Sequence, residues 1–199
     1  MLGDAHLYTQ NNGRTYQLRI SQSDQHRDYV YHLYDIFQDF VRTAPRRVER
    51  RSFCNSTPKG RWFFSTLAHH SFQFYGRRFY KNSVKRVPKD ISRFLTARGL
   101  AYWYMDDGSL KSAQSKGVIL DIHGFTLKEV EHRSQVLHEK FALKAHPRKQ
   151  SHQYKSQWKI YYQIYISGHR SALLCELIDP FLIPSMRYKF PIPRKRRKR

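Results

Sequence analysis

The sequence predicts an α+β fold of two pseudo-symmetric halves, each αββαββα. Three observations carry that prediction. Apolar helices and short alternating strands succeed one another twice along 199 residues. Leu2-Gly3-Asp4-Ala5-His6-Leu7 has a counterpart in Met105-Asp106-Asp107-Gly108-Ser109-Leu110. In both, an acid closes an apolar helix, a small residue follows and a strand begins, which marks a pseudo-twofold chain. Finally, 40% apolar residues, with 14 Tyr and 13 Phe, are enough for a real core and too many for a disordered basic tail.

In the first half, Tyr16, Leu18 and Ile20 alternate with Thr15, Gln17 and Arg19, predicting a strand over 14–20 with one apolar face. Tyr29, Val30, Leu33, Tyr34, Phe37, Phe40 and Val41 form one helical stripe, and Pro45 lies just beyond it. Trp62 to Thr66 reads as a strand after the Pro58-Lys59-Gly60 turn. His69 to Tyr80 reads as a helix with Phe72, Tyr75 and Phe79 on one face, and Lys81 to Lys89 as a basic connector holding Pro88.

The second half repeats this grammar. Leu100 to Met105 is an apolar helix ending in Asp106-Asp107-Gly108. Val118, Leu120 and Ile122 alternate with Ile119, Asp121 and His123 as a strand. Thr126 and Glu129 form a capping box, and Phe125 and Val130 sit where a hydrophobic staple would. The helix that follows carries Val130, Leu137 and Phe141. Trp158, Ile160, Tyr162, Ile164 and Ile166 alternate with Lys159, Tyr161, Gln163 and Tyr165 as a strand. A last helix, about 169–179, is stopped by Pro180. The expected domains are 1–98, a first repeat with a short leading helix; 99–191, a second repeat; and 192–199, a basic tail.

Lys plus Arg number 37 against 15 Asp plus Glu, a formal charge of +22. Self-repulsion on that scale calls for a polyanion partner. The basic residues Arg46-Arg47, Arg50-Arg51, Arg77-Arg78, Lys85-Arg86 and Lys144 to Lys149 are interleaved with aromatics, which points to nucleic acid. No basic amphipathic helix stands out and no apolar run is long enough to span a bilayer, so no membrane partner is expected. Met1-Leu2-Gly3-Asp4 lacks a signal-peptide pattern. Cys54 and Cys175 read as small core residues of a reducing compartment. The histidines lack zinc spacing and are assigned no metal.

Asp4 and Asp107 occupy the same place in the two repeats. Alone, an acid after a helix reads as a C-cap turn. Two copies in so basic a chain point instead to a divalent cation, with oxygen ligands suited to Mg2+ and to phosphodiester hydrolysis. Lys85 and Lys189 also sit at comparable points of the repeats. Two roles are open to them: offsetting charge and orienting water at a scissile phosphate, or touching DNA backbone. The polar strand faces, Thr15, Gln17 and Arg19, then Lys159, Tyr161, Gln163 and Tyr165, carry groups that read base edges.

Leu100-Ala101-Tyr102-Trp103-Tyr104-Met105-Asp106-Asp107-Gly108 resembles the second motif of two-repeat LAGLIDADG homing endonucleases. Met1-Leu2-Gly3-Asp4-Ala5-His6-Leu7 resembles the end of the first. Val118 to Phe125 with Thr126, Glu129 and Val130, and Ile183-Pro184-Ser185-Met186-Arg187-Tyr188-Lys189-Phe190-Pro191, are also similar to the family. The resemblance implies an antiparallel β saddle with the motif helices at the interface. It implies Asp4 and Asp107 as metal-binding acids, Lys85 and Lys189 as pocket lysines, and Mg2+ or Mn2+ as cofactor. It implies a monomer that cuts both strands of a long, asymmetric double-stranded DNA site. Intron-encoded relatives imply an organelle, mitochondrion or chloroplast, whereas Arg194 to Arg199 would read as a nuclear signal in a nuclear-encoded chain. Some members act as maturases on their own intron RNA, and that remains the alternative. Another nuclease class, with a histidine such as His69 as base, has no His-Asn-His constellation to support it.

Three departures stand out. Only Met1, Leu2 and Gly3 precede Asp4, where the family has an apolar helix of about two more turns, so a weakened interface and impaired activity are expected. Ala5 replaces the motif's last glycine. Asp121 stands where a neutral polar residue would be comfortable.

Overall fold

The computed structural model describes residues 2–49, 60–122, 124–154 and 157–191. Arg50-Arg51, Cys54, Pro58-Lys59, His123 and Arg194 to Arg199, singled out above, lie outside them. The chain divides into two units, Met1–Pro88 and Lys89–Arg199, described separately below.

The first unit runs β1 (His6–Tyr8), β2 (Gln17–Ser23), α1 (Arg27–Ile36), β3 (Arg46–Glu49), β4 (Gly60–Ser65), α2 (Gln73–Phe79), β5 (Tyr80–Lys81) and β6 (Val84–Lys85). Its antiparallel sheet has the order β1-β2-β4-β3. Leu7, Leu18, Ile20 and Phe64 form the buried face. α1 covers it with Tyr29, Val30 and Leu33, and Tyr34 stacks edge-on against Phe64 at 5.8 Å. The register places His6, Tyr8, Gln17, Arg19, Ser21 and Phe63 on the opposite face.

The second unit runs α3 (Ile91–Phe94), α4 (Ala97–Asp107), β7 (Gly108–Leu110), β8 (Val118–Leu120), α5 (Leu127–Phe141), β9 (Ala145–Tyr154), β10 (Gln157–Ile166) and α6 (Gly168–Ile178). Its sheet order, β7-β8-β10-β9, reproduces that of the first unit strand for strand. Val118, Leu120, Ile164 and Ile166 are fully buried and α5 packs on β9 and β10. The predicted capping box is present: Thr126 Oγ accepts from Glu129 N, and Glu129 Oε2 accepts from Thr126 N at 2.8 Å. The α+β expectation therefore holds as two antiparallel four-stranded sheets of one topology.

Several local readings are corrected. Thr15 lies in the turn before β2, because the Asn11 side chain accepts from Thr15 N (2.9 Å) and donates to Thr15 Oγ (2.8 Å). The predicted 69–80 helix opens with a 3₁₀ turn, His70–Phe72, capped by His69. Its buried face is Phe72, Gly76 and Phe79, while Tyr75 points outward. The basic connector contains the β5–β6 hairpin, with Asn82 and Ser83 at φ 50° and 62°, the backbone a primed two-residue turn requires. β3 and β9 went unpredicted because they are edge strands, whose charges and Pro147 blunt the sheet edge and hide its pattern. Trp158 and Ile160 share a strand face with buried Ile164 yet are 68% and 55% exposed, since the outer half of the β9–β10 hairpin is uncovered. Cys175 is half-buried rather than core. The units part at Pro88, earlier than the expected junction at 98, because α3 packs on α5, where Lys140 donates to Ser92 O.

Candidate active site

In the first unit Asp4 precedes β1, and Gln22 Nε2 at the end of β2 donates to its Oδ2 at 2.8 Å. Lys85, on β6, donates its Nζ to the carbonyls of Gly3 and Ala5, the residues flanking Asp4. Next to them, the Tyr80 hydroxyl meets His6 Nδ1 at 3.0 Å and accepts from Leu7 N at 3.0 Å. Burial, then the charges of Lys85 and Arg19, hold the His6 imidazole below its ordinary pKa, so it is neutral at pH 7.

In the second unit Asp107 is the last residue of α4. Thr96 caps the start of that helix, accepting from Gly99 N at 3.1 Å. Trp103, one turn back, donates Nε1 to Asp107 Oδ2 at 3.0 Å. Lys189, 7% exposed, donates its Nζ to the carbonyls of Met105 and Asp106. A cation there satisfies the orphan carbonyls and the negative end of the α4 dipole. Tyr104 donates its hydroxyl back to Lys189 O at 2.8 Å and stacks on Phe190 at 4.5 Å, and burial pushes its phenol well above the ordinary range. Gly108 has no room for a side chain: a Cβ would stand 2.4 Å from Tyr104 O and 2.5 Å from the Tyr104 ring. Ala5 is accommodated in the first unit, where no described helical turn precedes the acid.

Within each unit, then, acid and lysine meet at one place, though each ammonium binds main chain beside the acid. Asp121 N donates to Asp107 O at 2.8 Å, which puts the Asp121 carboxylate one strand over from the motif acid, and Gln163 Nε2 donates to it. That draws Gln163, 5% exposed, away from the role of an open base reader. Arg19 is fixed on the open face: its guanidinium lies 3.8 Å above the Tyr8 ring and its Nε donates to Gln17 Oε1 at 3.2 Å. Gln17 in turn donates to Ser65 Oγ at 3.3 Å. Lys159 is exposed, Tyr161 half-buried, and Tyr165 lies under Lys111 at 5.3 Å. Thr15 is set apart from this face by its turn.

Gln22, Tyr80, Trp103 and Arg133 were missed. Trp103 had a signal, its i, i+4 spacing to Asp107 on one helix. Arg133 had one too, a cation in the apolar stripe between Val130 and Leu137. Gln22 and Tyr80 reach the site only through tertiary pairing.

Among the described residues no three His, Cys, Asp or Glu side chains gather as a metal cluster. One carboxylate per repeat is nevertheless chemically suited to Mg2+, which takes few protein oxygens and fills its shell with water and phosphate. Among the described residues no helix is long and apolar enough to cross a membrane.

Residues 1–174 match the model of the LAGLIDADG DNA endonuclease family. The chain is 32% identical over 198 residues to the DNA endonuclease I-ChuI of Chlamydomonas applanata, spanning 95% of this chain and 89% of that one. It is 28% identical to the cytochrome b mRNA maturase bI2 of Debaryomyces hansenii, spanning 95% of this chain and 70% of that one. The homing endonuclease I-WcaI, solved bound to its DNA recognition sequence, superposes with a TM-score of 0.84 at 27% identity, covering 96% of this chain and 83% of that one. With its doubled sheet, its two acid–lysine sites and these matches, the chain belongs to the LAGLIDADG DNA endonuclease family.

Proposed function

We propose that this chain hydrolyses both strands of its DNA site with divalent metal, Mg2+ or Mn2+, using Asp4 and Asp107 as the metal-binding acids. It is a site-specific homing endonuclease, and double-stranded DNA is its partner. The observation that carries the catalytic assignment is the duplicated arrangement: each motif acid lies beside main-chain carbonyls held by a lysine from the end of the same repeat.

A divalent cation bound at these acids would supply Lewis-acid stabilisation and an activated water. Gln22 and Trp103 hold the two carboxylates through one oxygen each, which fixes their orientation. Lys85 and Lys189 place positive charge next to each acid, where a phosphate brings negative charge. Arg19 and Gln17 on the first sheet, and Lys159, Tyr161 and Tyr165 on the second, supply groups for groove and backbone contacts. The chain acts as a monomer, its two repeats serving the two halves of an asymmetric site.

Relatives named as cytochrome b mRNA maturases favour an organellar, intron-encoded origin and a second reading, assistance to splicing of its own intron RNA. Incubation of the chain with a plasmid carrying the intron-free allele of its host gene separates the two. Linearisation that requires Mg2+ and both acids supports the nuclease; intact plasmid together with rescued splicing supports the maturase.

A further inference from the structure

Arg133 lies in the middle of α5 and is 2% exposed. None of its guanidinium nitrogens has a hydrogen-bond partner. Its Cζ stands 3.6 Å above the Phe125 ring. A buried cation costs several kcal/mol unless it is compensated. A ring face compensates only in part. The first unit shows that the helix does not need this charge: aligning fully buried Val30 with Val130 sets apolar Leu33 opposite Arg133. Burial lowers the guanidinium to about 10, and the groups that favour its charge are Glu129, four residues back, and Asp107 from α4. The motif acid therefore feels a fixed, desolvated positive charge that has no counterpart at the equivalent helix position of the first unit.

We propose that Arg133 is a positioning residue for the second-repeat acid, its buried charge lowering the affinity of Asp107 for a divalent cation. This rests on the metal reading above. Cation loading at Asp107 then depends on the negative charge that a DNA phosphate contributes, so the second site fills with substrate rather than before it. Asp121, one strand over from Asp107, pulls the opposite way, whereas the first unit has Ser21 at that register position.

Two groups that touch the acids report on each site: the Trp103 indole N–H at Asp107 and the Gln22 side-chain amide at Asp4. The 15N-labelled chain is titrated with Mn2+ in the absence of DNA, and paramagnetic broadening of both resonances is followed. Arg133→Leu should move the Trp103 midpoint to about tenfold lower Mn2+ and leave the Gln22 midpoint in place. Arg133→Lys keeps the charge and should move neither, and Asp121→Ser should shift Trp103 to higher Mn2+. Arg133→Met, with a flexible unbranched stem, replaces the leucine variant if that fails to fold. An unchanged Trp103 midpoint in the neutral variants, with Asp107→Asn still abolishing the response, overturns this inference and leaves the metal reading standing. Broadening at Trp103 that survives Asp107→Asn, or no response at either reporter, overturns the metal reading and the inference with it.

Discussion

The acid of the first unit is held by strands and that of the second by a helix. Asp4 is reached through a short segment ahead of β1, tied down by Gln22 from β2 and by Lys85 from a two-residue strand. Asp107 ends an eleven-residue helix whose Leu100, Ala101, Trp103, Tyr104 and Met105 are all buried, and Trp103 of that helix holds the carboxylate. The lysines follow the difference. Lys85 straddles its acid, bonding the carbonyls on both sides of it, whereas Lys189 bonds two carbonyls ahead of its acid, those a helix C-terminus leaves unpaired. One duplicated design therefore orients a carboxylate by two mechanisms, cross-strand pairing in one copy and helix capping in the other.

The sharpest way to break the comparison is to neutralise each acid. Asp107→Asn and Asp4→Asn should each lower cleavage by at least about 100-fold while leaving DNA affinity nearly intact, because affinity comes from many basic contacts. Gel assays of cleavage and binding on the same preparation check both halves of that statement. Undiminished cleavage by either variant removes that acid from the chemistry.

The paired acids and lysines were legible because their residue types recur at fixed distances from local landmarks, Gly108 after Asp107, Pro88 after Lys85. What completes each site was not. Gln22 was read as lying beyond a strand that in fact extends to Ser23, and Tyr80 as the end of a helix rather than the start of a hairpin. Local periodicity reports which face of an element is apolar and is silent on what covers that face. For this reason Trp158 and Ile160 read as core and stand in solvent, while Arg133 read as nothing and is buried.

The lysines test whether capping and straddling differ in strength. Lys189→Met removes a buried ammonium and leaves the Met105 and Asp106 carbonyls without it, an effect on the order of 1.5–3 kcal/mol for charged hydrogen bonds. Lys85→Met acts at a half-buried site and should lower the melting temperature less. Both should slow cleavage at saturating protein. Variants that bind DNA more weakly yet cleave normally once bound would make the lysines plain backbone contacts.

The small residue after each acid sharpens the comparison further. Gly108→Ala drives a Cβ into the Tyr104 carbonyl and ring, and overpacking of this kind costs about 1–3 kcal/mol. Ala5→Gly, with no such neighbour, should change stability by a few tenths of a kcal/mol, the backbone-entropy difference alone. Equal melting shifts for the two would mean that the second helix end yields as readily as the strand.

The smallest effects belong to the two open sheet faces. Arg19 is locked between the Tyr8 ring and the Gln17 amide, so its position against a groove is set before DNA arrives. Lys159 is exposed on the outer half of the β9–β10 hairpin, beyond the stretch covered by the core. A fixed guanidinium discriminates between bases; a solvated ammonium follows phosphates. Arg19→Ala should therefore cost about 1–3 kcal/mol on the cognate duplex and less on a scrambled one, relaxing preference at one or two base pairs. Lys159→Ala should weaken both duplexes alike and reduce the slope of log K against log salt by about 0.9. Titrations of both variants over a salt series, on cognate and scrambled duplexes, separate the two behaviours. An Arg19→Ala loss equal on both duplexes would show that stacking on Tyr8 holds the guanidinium for phosphate contact, and the first sheet would then read sequence through other side chains.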